Sequence, residues 1–266
     1  MKAHVLFSGS KGNCTYMTDG DTSILIDAGG NLKRIRECLE ALGDGIENIK
    51  GIFVTHEHTD HVKALYNIVK KYDIRIFTTV ETARAICSPC KNYDVEDCRR
   101  VASSILTVKP DKTYEIGTMS VKPFSTPHDV AGSLGFLIGS TKDKKSIGYA
   151  TDIGHVTEDM RRLFSGVRNI VIESNHDIEM LKSGPYPEFL KERILSERGH
   201  LSNTACAEFV RELEEKGSKS FTLAHLSEEN NRPDIALKVS KDALCNCGDV
   251  VLKTASAYSM TEIEIL

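Results

Sequence analysis

The feature that most constrains this chain is the segment 55–61, which reads Thr-His-Glu-His-Thr-Asp-His. It holds three of the nine histidines of the chain together with an aspartate, directly after an apolar stretch that is typical of a buried strand. Loops at the ends of strands carry the ligand-binding groups of many α/β proteins. Imidazole and carboxylate groups together are suitable ligands for Zn²⁺, Mn²⁺ or Fe. The segment therefore predicts a metal site at the end of a strand.

The spacing inside this segment predicts two metal ions rather than one. In an extended chain, His56 and His58 point to the same side. Asp60 and His61 follow where the chain turns into a helix, so they can point to a second, adjacent position. A surface cluster of histidines without a metal is the alternative interpretation.

Three later residues can complete such a site. His128, Asp152 and His225 each come just after a predicted strand. Because ligand-binding groups of α/β sheets gather where strands end, we expect these side chains to lie along one edge with the histidine segment.

The order of predicted elements indicates the fold. Strands and helices alternate in the first third of the chain, strands fill the middle, and helices return in the last third. We predict a helix that Asn31 caps, one helix over 62–72 and one strand over 114–124. This order predicts an α/β fold, a four-layer αββα sandwich. No repeat or linker divides the 266 residues, so we expect a single domain over residues 1–266.

Composition narrows the function classes. The formal net charge of −4 argues against a protein that coats nucleic acid, but not against nucleic acid as a substrate. We expect no membrane association and no export signal, because no uncharged apolar run approaches the ~20 residues of a membrane span. The eight cysteines are then expected to be reduced and the protein to be cytoplasmic. Cys87, Cys90 and Cys98 could hold a separate zinc ion, although only three ligands are in view.

The histidine segment and the three later residues together resemble the metallo-β-lactamase superfamily, whose motifs occur here in the same order. The resemblance implies two divalent metal ions, which could be zinc, manganese or iron. The ligands that it implies for the first ion are His56, His58 and His128. Those that it implies for the second ion are Asp60, His61 and His225. Asp152 would bridge the two ions, and Asp27 would orient the cluster from outside, with a plain turn role as the alternative for Asp27.

The ligand set leaves several reactions open. Asp152 stands where the β-lactamases of this superfamily carry Cys, so antibiotic hydrolysis is not expected. Glyoxalase-II-like thioesterases share the implied ligands, and small cyclic phosphodiester hydrolases have the same fold. Both remain alternatives, as do a metal-stabilised binding module without activity and a redox di-iron protein.

Three polar segments favour a phosphodiester substrate. The first, 8–13, reads Ser-Gly-Ser-Lys-Gly-Asn and supplies backbone N–H groups for an anion. The second, 199–203, precedes a predicted helix, and a helix N-terminus favours phosphate. The third, 173–177, adds polar groups after a strand. The side chains that we expect to contact the substrate are Ser10, Asn13, Asn175, His176, His200 and Ser202.

The order of these segments resembles that of the YycJ/WalJ branch of the superfamily. The resemblance implies that Glu173 matches an acidic motif of that branch and supports the metal ligands without binding metal itself. Members of that branch are bacterial metal-dependent 5′→3′ DNA exonucleases. The resemblance therefore implies a nucleic acid substrate, with DNA favoured over RNA. Only 73 residues lead from Asp152 to His225, which is too few for an inserted β-CASP domain.

The predicted mechanism is two-metal hydrolysis of a phosphodiester, in which a hydroxide that bridges the ions attacks phosphorus. Asp60 and Asp152 hold and space the ions. His200 binds the scissile phosphate or assists the leaving oxygen. These three residues are the predicted catalytic residues.

Overall fold

The computed structural model describes residues 1–88, 95–244 and 248–266. Within these ranges the chain forms two seven-stranded mixed sheets with helices on their outer faces. Cys90 lies outside the described residues, so the three-cysteine zinc hypothesis stays a prediction.

The first sheet is built mainly from the N-terminal part of the chain. Its strands are β1 (Lys2–Phe7), β2 (Cys14–Thr18), β3 (Ser23–Ile26), β4 (Ile49–Phe53), β5 (Arg75–Thr78), β6 (Ile105–Thr107) and β14 (Thr261–Ile263). Across the sheet they lie in the order β14-β1-β2-β3-β4-β5-β6. Strands β3 to β6 are parallel, so their carboxyl ends point to the same edge.

The second sheet is built from the rest of the chain. Its strands are β7 (Tyr114–Ile116), β8 (Met119–Ser125), β9 (Leu134–Ser140), β10 (Ser146–Ala150), β11 (Asn169–Glu173), β12 (Ser220–Ala224) and β13 (Val251–Thr254). They lie in the order β13-β12-β11-β10-β9-β8-β7. Strands β10 to β13 are parallel, with Ile147 beside Asn169 and Asn169 beside Ser220 in register.

The helices follow the parallel strands. They are α1 (Leu32–Ala41), α2 (Thr59–Val62), α3 (Leu65–Val69), α4 (Val80–Ile86), α5 (Val95–Ser104), α6 (Glu158–Phe164), α7 (Ile178–Ser183), α8 (Glu188–Leu195), α9 (Asn203–Glu215) and α10 (Pro233–Leu244), with a short 3₁₀ turn at Ile46–Asn48. The Asn31 side chain caps α1 by accepting a hydrogen bond from the Arg34 amide, as predicted. None of the helices in the described ranges has both the length and the apolar character to cross a membrane.

Alternating side chains divide the core into layers. Ile24 and Ile26 on β3 lie between the two sheets with Phe136 and Tyr149 of the second sheet. Leu25, between them in sequence, points to the other face and packs with the helices of the first sheet. Helices α6, α9 and α10 cover the outer face of the second sheet in the same way. The layers are therefore helix, sheet, sheet, helix, and the predicted αββα sandwich is confirmed.

Two predicted elements were wrong in detail. The predicted helix over 62–72 is broken, because the Ala64 amide donates to the Ala28 carbonyl of a neighbouring loop, which ends α2 before α3 begins. The predicted strand over 114–124 is a hairpin of β7 and β8. Gly117 has a φ of 56°, a left-handed conformation that suits a tight hairpin turn.

Candidate metal centre

The predicted ligands come together at the edge where the parallel strands of both sheets end. Asp27 follows β3, Asp152 lies just after β10, and His225 follows β12. These three residues have φ values of 60°, 56° and 54°, which few residues other than glycine adopt. Strained backbone of this kind persists where the surroundings fix it, and it is common at functional sites. Here it turns three functional side chains toward one edge.

Three histidines form one half of the centre. His56 and His58 lie between β4 and α2, and His128 follows β8. His56 Nε2 is 3.0 Å from His58 Nδ1. At this distance only one of the two ring nitrogens can carry a proton toward the other. One nitrogen of each of the three rings lies within 4.8 Å of the other two. This geometry suits three imidazoles that bind a single cation.

Asp60, His61 and His225 form the other half, with ligand atoms that also lie within 4.8 Å of one another. Asp60 and His61 are on the single turn of α2, and His225 comes from the second sheet. Asp60 Oδ2 is 3.3 Å from His61 Nε2 and 3.8 Å from His225 Nε2. This half therefore joins the two sheets through side chains.

Asp152 lies between the two halves and is buried. Its Oδ2 is 3.4 Å from His61 Nε2, and its Oδ1 is 3.3 Å from His225 Nδ1. Its carboxylate also lies within 4.8 Å of ligand atoms of both His56 and His61. The Asp152 carboxylate is therefore close to potential ligand atoms of both halves.

The Asp27 carboxylate orients His61 from outside the cluster. It is fully buried and lies 2.8 Å from His61 Nδ1. It also accepts hydrogen bonds from the Thr55 amide at 2.8 Å and from the Thr55 hydroxyl. Because His61 Nδ1–H donates to Asp27, Nε2 is the ring nitrogen that faces Asp60 and Asp152.

The Glu173 carboxylate has the same relation to His200 and His225. Its Oε1 is 2.9 Å from His200 Nδ1 and 2.8 Å from His225 Nδ1. Its Oε2 accepts hydrogen bonds from the amides of Ile153 and Leu201. Since backbone amides hold one oxygen and two histidines contact the other, Glu173 orients side chains rather than facing the cavity.

Backbone and hydroxyl groups orient the histidines of the first half. His128 Nδ1 lies 3.3 Å from the Gly199 carbonyl, to which it donates. His56 Nδ1 lies 3.0 Å from the Thr55 hydroxyl. Donation through Nδ1 leaves Nε2 as the acceptor that can bind a metal. Thr55 contacts Asp27, His56 and His61, and only its place at the end of the predicted strand could have indicated this role.

The pKa shifts divide the centre into two electrostatic environments. Burial lowers the pKa of His56 and of His128, so these rings favour the neutral form that binds metals. Burial acts in the same direction on His225, but Asp152 and neighbouring carboxylates outweigh it and raise the pKa of that ring to about 10. The same balance raises the pKa of His61 well above its ordinary value. The carboxylates around the second half therefore favour positive charge there.

The residues present fit divalent metal ions. Three buried atoms at the centre, His128 Nε2, Asp152 Oδ2 and His225 Nε2, have no hydrogen-bond partner within residues 1–88, 95–244 and 248–266. A buried polar atom without a partner costs roughly 1–3 kcal/mol. Each of these atoms can act as an acceptor toward a cation, and a mixed set of imidazoles and carboxylates suits zinc, manganese and iron.

The residues predicted to contact substrate fall into two groups. Ser10, Asn175 and His200 line a cavity of about 230 Å³ that also includes Asp60 and Asp152. The other three have different positions. Asn13 donates to Asp60, His176 is buried and is not among the residues that line the cavity, and Ser202 caps α9 by accepting from the Ala205 amide.

The same cavity has walls that the sequence patterns did not indicate. They are Asp129, Tyr186, Leu190, Arg193, Ile194 and Ser227. Asp129 Oδ1 lies 3.3 Å from His128 Nε2, and the Asp129 carboxylate pairs with Arg193. The place of Asp129 directly after a predicted ligand was the signal that could have identified it. The cavity residues of α8 had no such signal in the sequence, because the face that a helix turns to a cavity depends on tertiary packing.

Comparison with known proteins gives a family match. Residues 22–225 match the model of the beta-lactamase superfamily domain. The exodeoxyribonuclease YycJ of Bacillus anthracis is 34% identical over 232 residues, which cover 87% of this chain and 84% of that protein. The exodeoxyribonuclease WalJ of Streptococcus pneumoniae is 32% identical over 235 residues, which cover 88% and 85%.

Solved structures share the fold. The Zn²⁺-bound PqqB from Methylobacterium extorquens superposes with a TM-score of 0.69 at 15% identity, covering 99% of this chain and 100% of that one. Unliganded yeast PDE1 gives a TM-score of 0.70 at 14% identity, covering 99% of each chain. At these identities the likeness shows the fold alone.

Proposed function

This chain belongs to the beta-lactamase superfamily, in the branch of the YycJ and WalJ exodeoxyribonucleases, and on that premise we propose that it degrades DNA strands in the 5′→3′ direction. The chain is a metal-dependent hydrolase. The proposal assigns to it a DNA substrate, favoured over RNA, and two divalent ions. It also assigns a single domain without a β-CASP insertion, and a place in the cytoplasm. The five cysteines of the described ranges that are free thiols support that location.

One observation carries the proposal. Two sets of candidate metal-binding side chains lie side by side, with Asp152 close to both, and open on a cavity that His200 also lines. In this proposal the first ion is held by His56, His58 and His128. The second ion is held by Asp60, His61 and His225. Asp152 spans both positions.

Divalent metals at these residues would supply the chemistry that is common to metal-dependent hydrolases. Bound at these residues, two divalent ions would lower the pKa of a water molecule from ~15.7 to about 7 and offset charge on the phosphoryl oxygens. Zinc, manganese and iron all suit the donor set.

His200 is the residue of the chain that we assign to the phosphate. Glu173 holds its Nδ1, so Nε2 is on the opposite side of the ring, and the side chain lines the cavity. Burial lowers the pKa of His200, but the Glu173 carboxylate outweighs it and raises that pKa above the ordinary value. A protonated Nε2 can therefore donate a hydrogen bond to a phosphate oxygen or a proton to the leaving oxygen.

A substrate panel tests the proposal. The metal-loaded protein is incubated with 5′-phosphorylated DNA, RNA, bis-p-nitrophenyl phosphate and acyl-glutathione. We expect DNA to be the preferred substrate, with a 5′ label released as mononucleotide before a 3′ label. Turnover of the thioester alone would instead support the glyoxalase-II-like alternative and would overturn the proposal.

Asp60→Asn is the matched variant for this panel. It preserves the shape of the side chain but removes the charge of a metal ligand, so we expect kcat on DNA to fall at least about 100-fold. Asp159→Asn, which changes an exposed carboxylate beside Arg162, is the control and should retain wild-type activity. Equal activity of Asp60→Asn and wild type would contradict the assignment of Asp60.

A further inference from the structure

We propose that Tyr186, Phe189 and Arg193, called here the α8 wall, bind the terminal nucleotides of a single strand, with the two rings stacking on bases and the guanidinium contacting a phosphate. The inference rests on the proposed function and extends it to the part of the substrate beyond the scissile phosphate.

Two of the three residues of the α8 wall line the cavity at the metal centre, and Phe189 lies outside that lining. Tyr186, Leu190 and Arg193 line the same cavity as Asp60 and Asp152. A lone phosphate at the metal centre would not need such a wall. A substrate that fills the cavity has groups on the side of the phosphate that faces α8.

Two aromatic rings are available on this wall. Phe189 is 72% exposed, which is unusual for so large an apolar side chain. It lies one turn before Arg193 on α8, and therefore on the same side of the helix. Tyr186 is half-buried and lines the cavity. Bases stack on exposed aromatic rings whatever their sequence, as an exonuclease requires.

Arg193 supplies a positive charge at the same place. Its Nε and Nη2 groups pair with the Asp129 carboxylate, and the Arg193 side chain is 54% exposed. A guanidinium has five N–H groups, so this pairing leaves others for a phosphate oxygen. The salt bridge also fixes the direction of the guanidinium beside the histidines that Asp129 faces.

Backbone constraints lie at both ends of the α8 wall. Pro185 and Pro187 flank Tyr186 and restrict its conformation. At the other end of α8, the His200 amide donates to the Ile194 carbonyl. A Cβ on Gly199 would lie 2.2 Å from that carbonyl, so the tight turn between α8 and His200 needs glycine. The wall is therefore positioned by the same turn that positions His200.

A cycle of protein and substrate variants tests the stacking. The substrates are a single-stranded oligonucleotide and one of equal length with abasic residues at the two terminal positions of each end. For wild type we expect the abasic substrate to raise KM roughly 5- to 150-fold. For the double variant Tyr186→Ala/Phe189→Ala, which removes both rings, we expect both substrates to show the raised KM. Leu195→Ala, which removes an exposed apolar side chain from the same helix outside the cavity, should retain the wild-type difference.

The salt dependence of binding tests Arg193. Removing one phosphate contact should make the slope of log affinity against log salt concentration shallower by about 0.7 for a single strand. We expect this change for Arg193→Ala, whereas Arg193→Lys retains the charge and should retain the slope.

The outcomes separate this inference from the proposed function. If wild type degrades DNA but discriminates equally against abasic ends with and without the rings of Tyr186 and Phe189, the α8 wall does not stack bases and the inference alone fails. An unchanged salt slope for Arg193→Ala would overturn its phosphate contact. If wild type does not degrade DNA at all, the proposed function fails and this inference fails with it.

Discussion

Asp27, Asp152 and His225 adopt a backbone conformation that costs of order 1–3 kcal/mol at each position. Their surroundings hold them in it. The Asp27 amide donates to the Phe53 carbonyl, and the His225 amide donates to the Ser8 hydroxyl. Because each of these left-handed residues follows the end of a strand by one or two positions, its side chain leaves the sheet and faces the centre. Strained backbone at single residues thus directs these three side chains, from two sheets, toward one edge.

The orienting carboxylates give the first prediction at this scale. Glu173→Gln keeps the size of the side chain but replaces one carboxylate oxygen with an NH₂ group, which donates and cannot accept. The glutamine side chain therefore cannot accept hydrogen bonds from both histidines, His200 and His225, and from both backbone amides. We expect the affinity for metal to fall 10- to 100-fold, measured by competition with a chelator. Glu158→Gln, at a side chain that is 93% exposed, is the control. An unchanged affinity in Glu173→Gln would show that Glu173 does not orient the ligands.

The sequence was most informative about position where histidines and aspartates follow the ends of strands. The seven predicted metal ligands all lie at one edge, because the groups that follow strand ends in an α/β sheet gather on the same side. Thr55 and Asp129 were missed because their roles depend on which side chains lie opposite them in space. His176 was predicted at the rim but is buried, since its backbone pairs with Ser202 and turns the ring inward.

At the scale of elements, close contact between three loops positions Asp60. The Asn13 amide donates to the Asp60 carbonyl at 2.8 Å, and the Gly29 amide donates to the Asn13 carbonyl at 2.9 Å. The loop after β3 also bonds to the turn of α2, from Ala28 to the His61 carbonyl. The single turn of α2 is therefore held by loops of the first sheet rather than by its own length.

Gly29 is the position at which this packing can be tested. A Cβ there would lie 1.4 Å from the Asp60 carbonyl oxygen, so Gly29→Ala must displace the α2 turn. We expect at least about 10-fold weaker metal binding and a loss of stability of roughly 1–3 kcal/mol, measured by chelator competition and denaturant unfolding. Gly248→Ala is the control, since its added Cβ would have no neighbour within 4 Å in the part of the chain that the structure describes. If Gly29→Ala binds metal as wild type does, the three-loop contact does not position Asp60.

The errors at this scale have a physical explanation. Periodicity over 62–72 correctly indicated which side chains are buried, but it could not show that a distant carbonyl would take the Ala64 amide. The strand pattern of 114–124 continues through Gly117, and only the left-handed turn there separates β7 from β8. In both places a single backbone group overrides a pattern of side chains.

At the scale of the whole molecule, the two sheets must keep a fixed separation at the edge with the metal centre. Hydrogen bonds join them at the opposite edge, where β3 begins. Asp19 Oδ2 accepts from the Ser140 hydroxyl of the second sheet at 3.0 Å, and Asp19 Oδ1 accepts from the Thr22 amide at 3.0 Å. Thr22 and Thr118 add a contact between hydroxyls. The overall layers followed from the order of elements, whereas these contacts between sheets did not.

The charge of Asp19 predicts how stability depends on pH. Burial raises its pKa, but hydrogen bonds from Thr118, Thr22, Asp21 and Ser140 outweigh this and lower it to about 2. A lowered pKa in the folded state means that the stabilisation is present at neutral pH and is lost as pH falls from about 4 toward 2. We expect Asp19→Asn to lose about 1 kcal/mol at pH 7, and the difference from wild type to shrink at pH 3, in denaturant unfolding.

Asp21→Asn is the control for this experiment, since it lies in the same turn and contacts the exposed Lys142 side chain. It should unfold as wild type does at both pH values. A difference between Asp19→Asn and wild type that does not vary with pH would show that the charge of Asp19 does not join the sheets.

Anomalous X-ray diffraction from crystals of the metal-loaded protein tests whether the centre holds two ions around Asp152. We expect two peaks about 3.5–4 Å apart, with Asp152 touching both. One peak should lie among His56, His58 and His128, and the other among Asp60, His61 and His225. A single peak, or two peaks that do not share Asp152, would contradict the account.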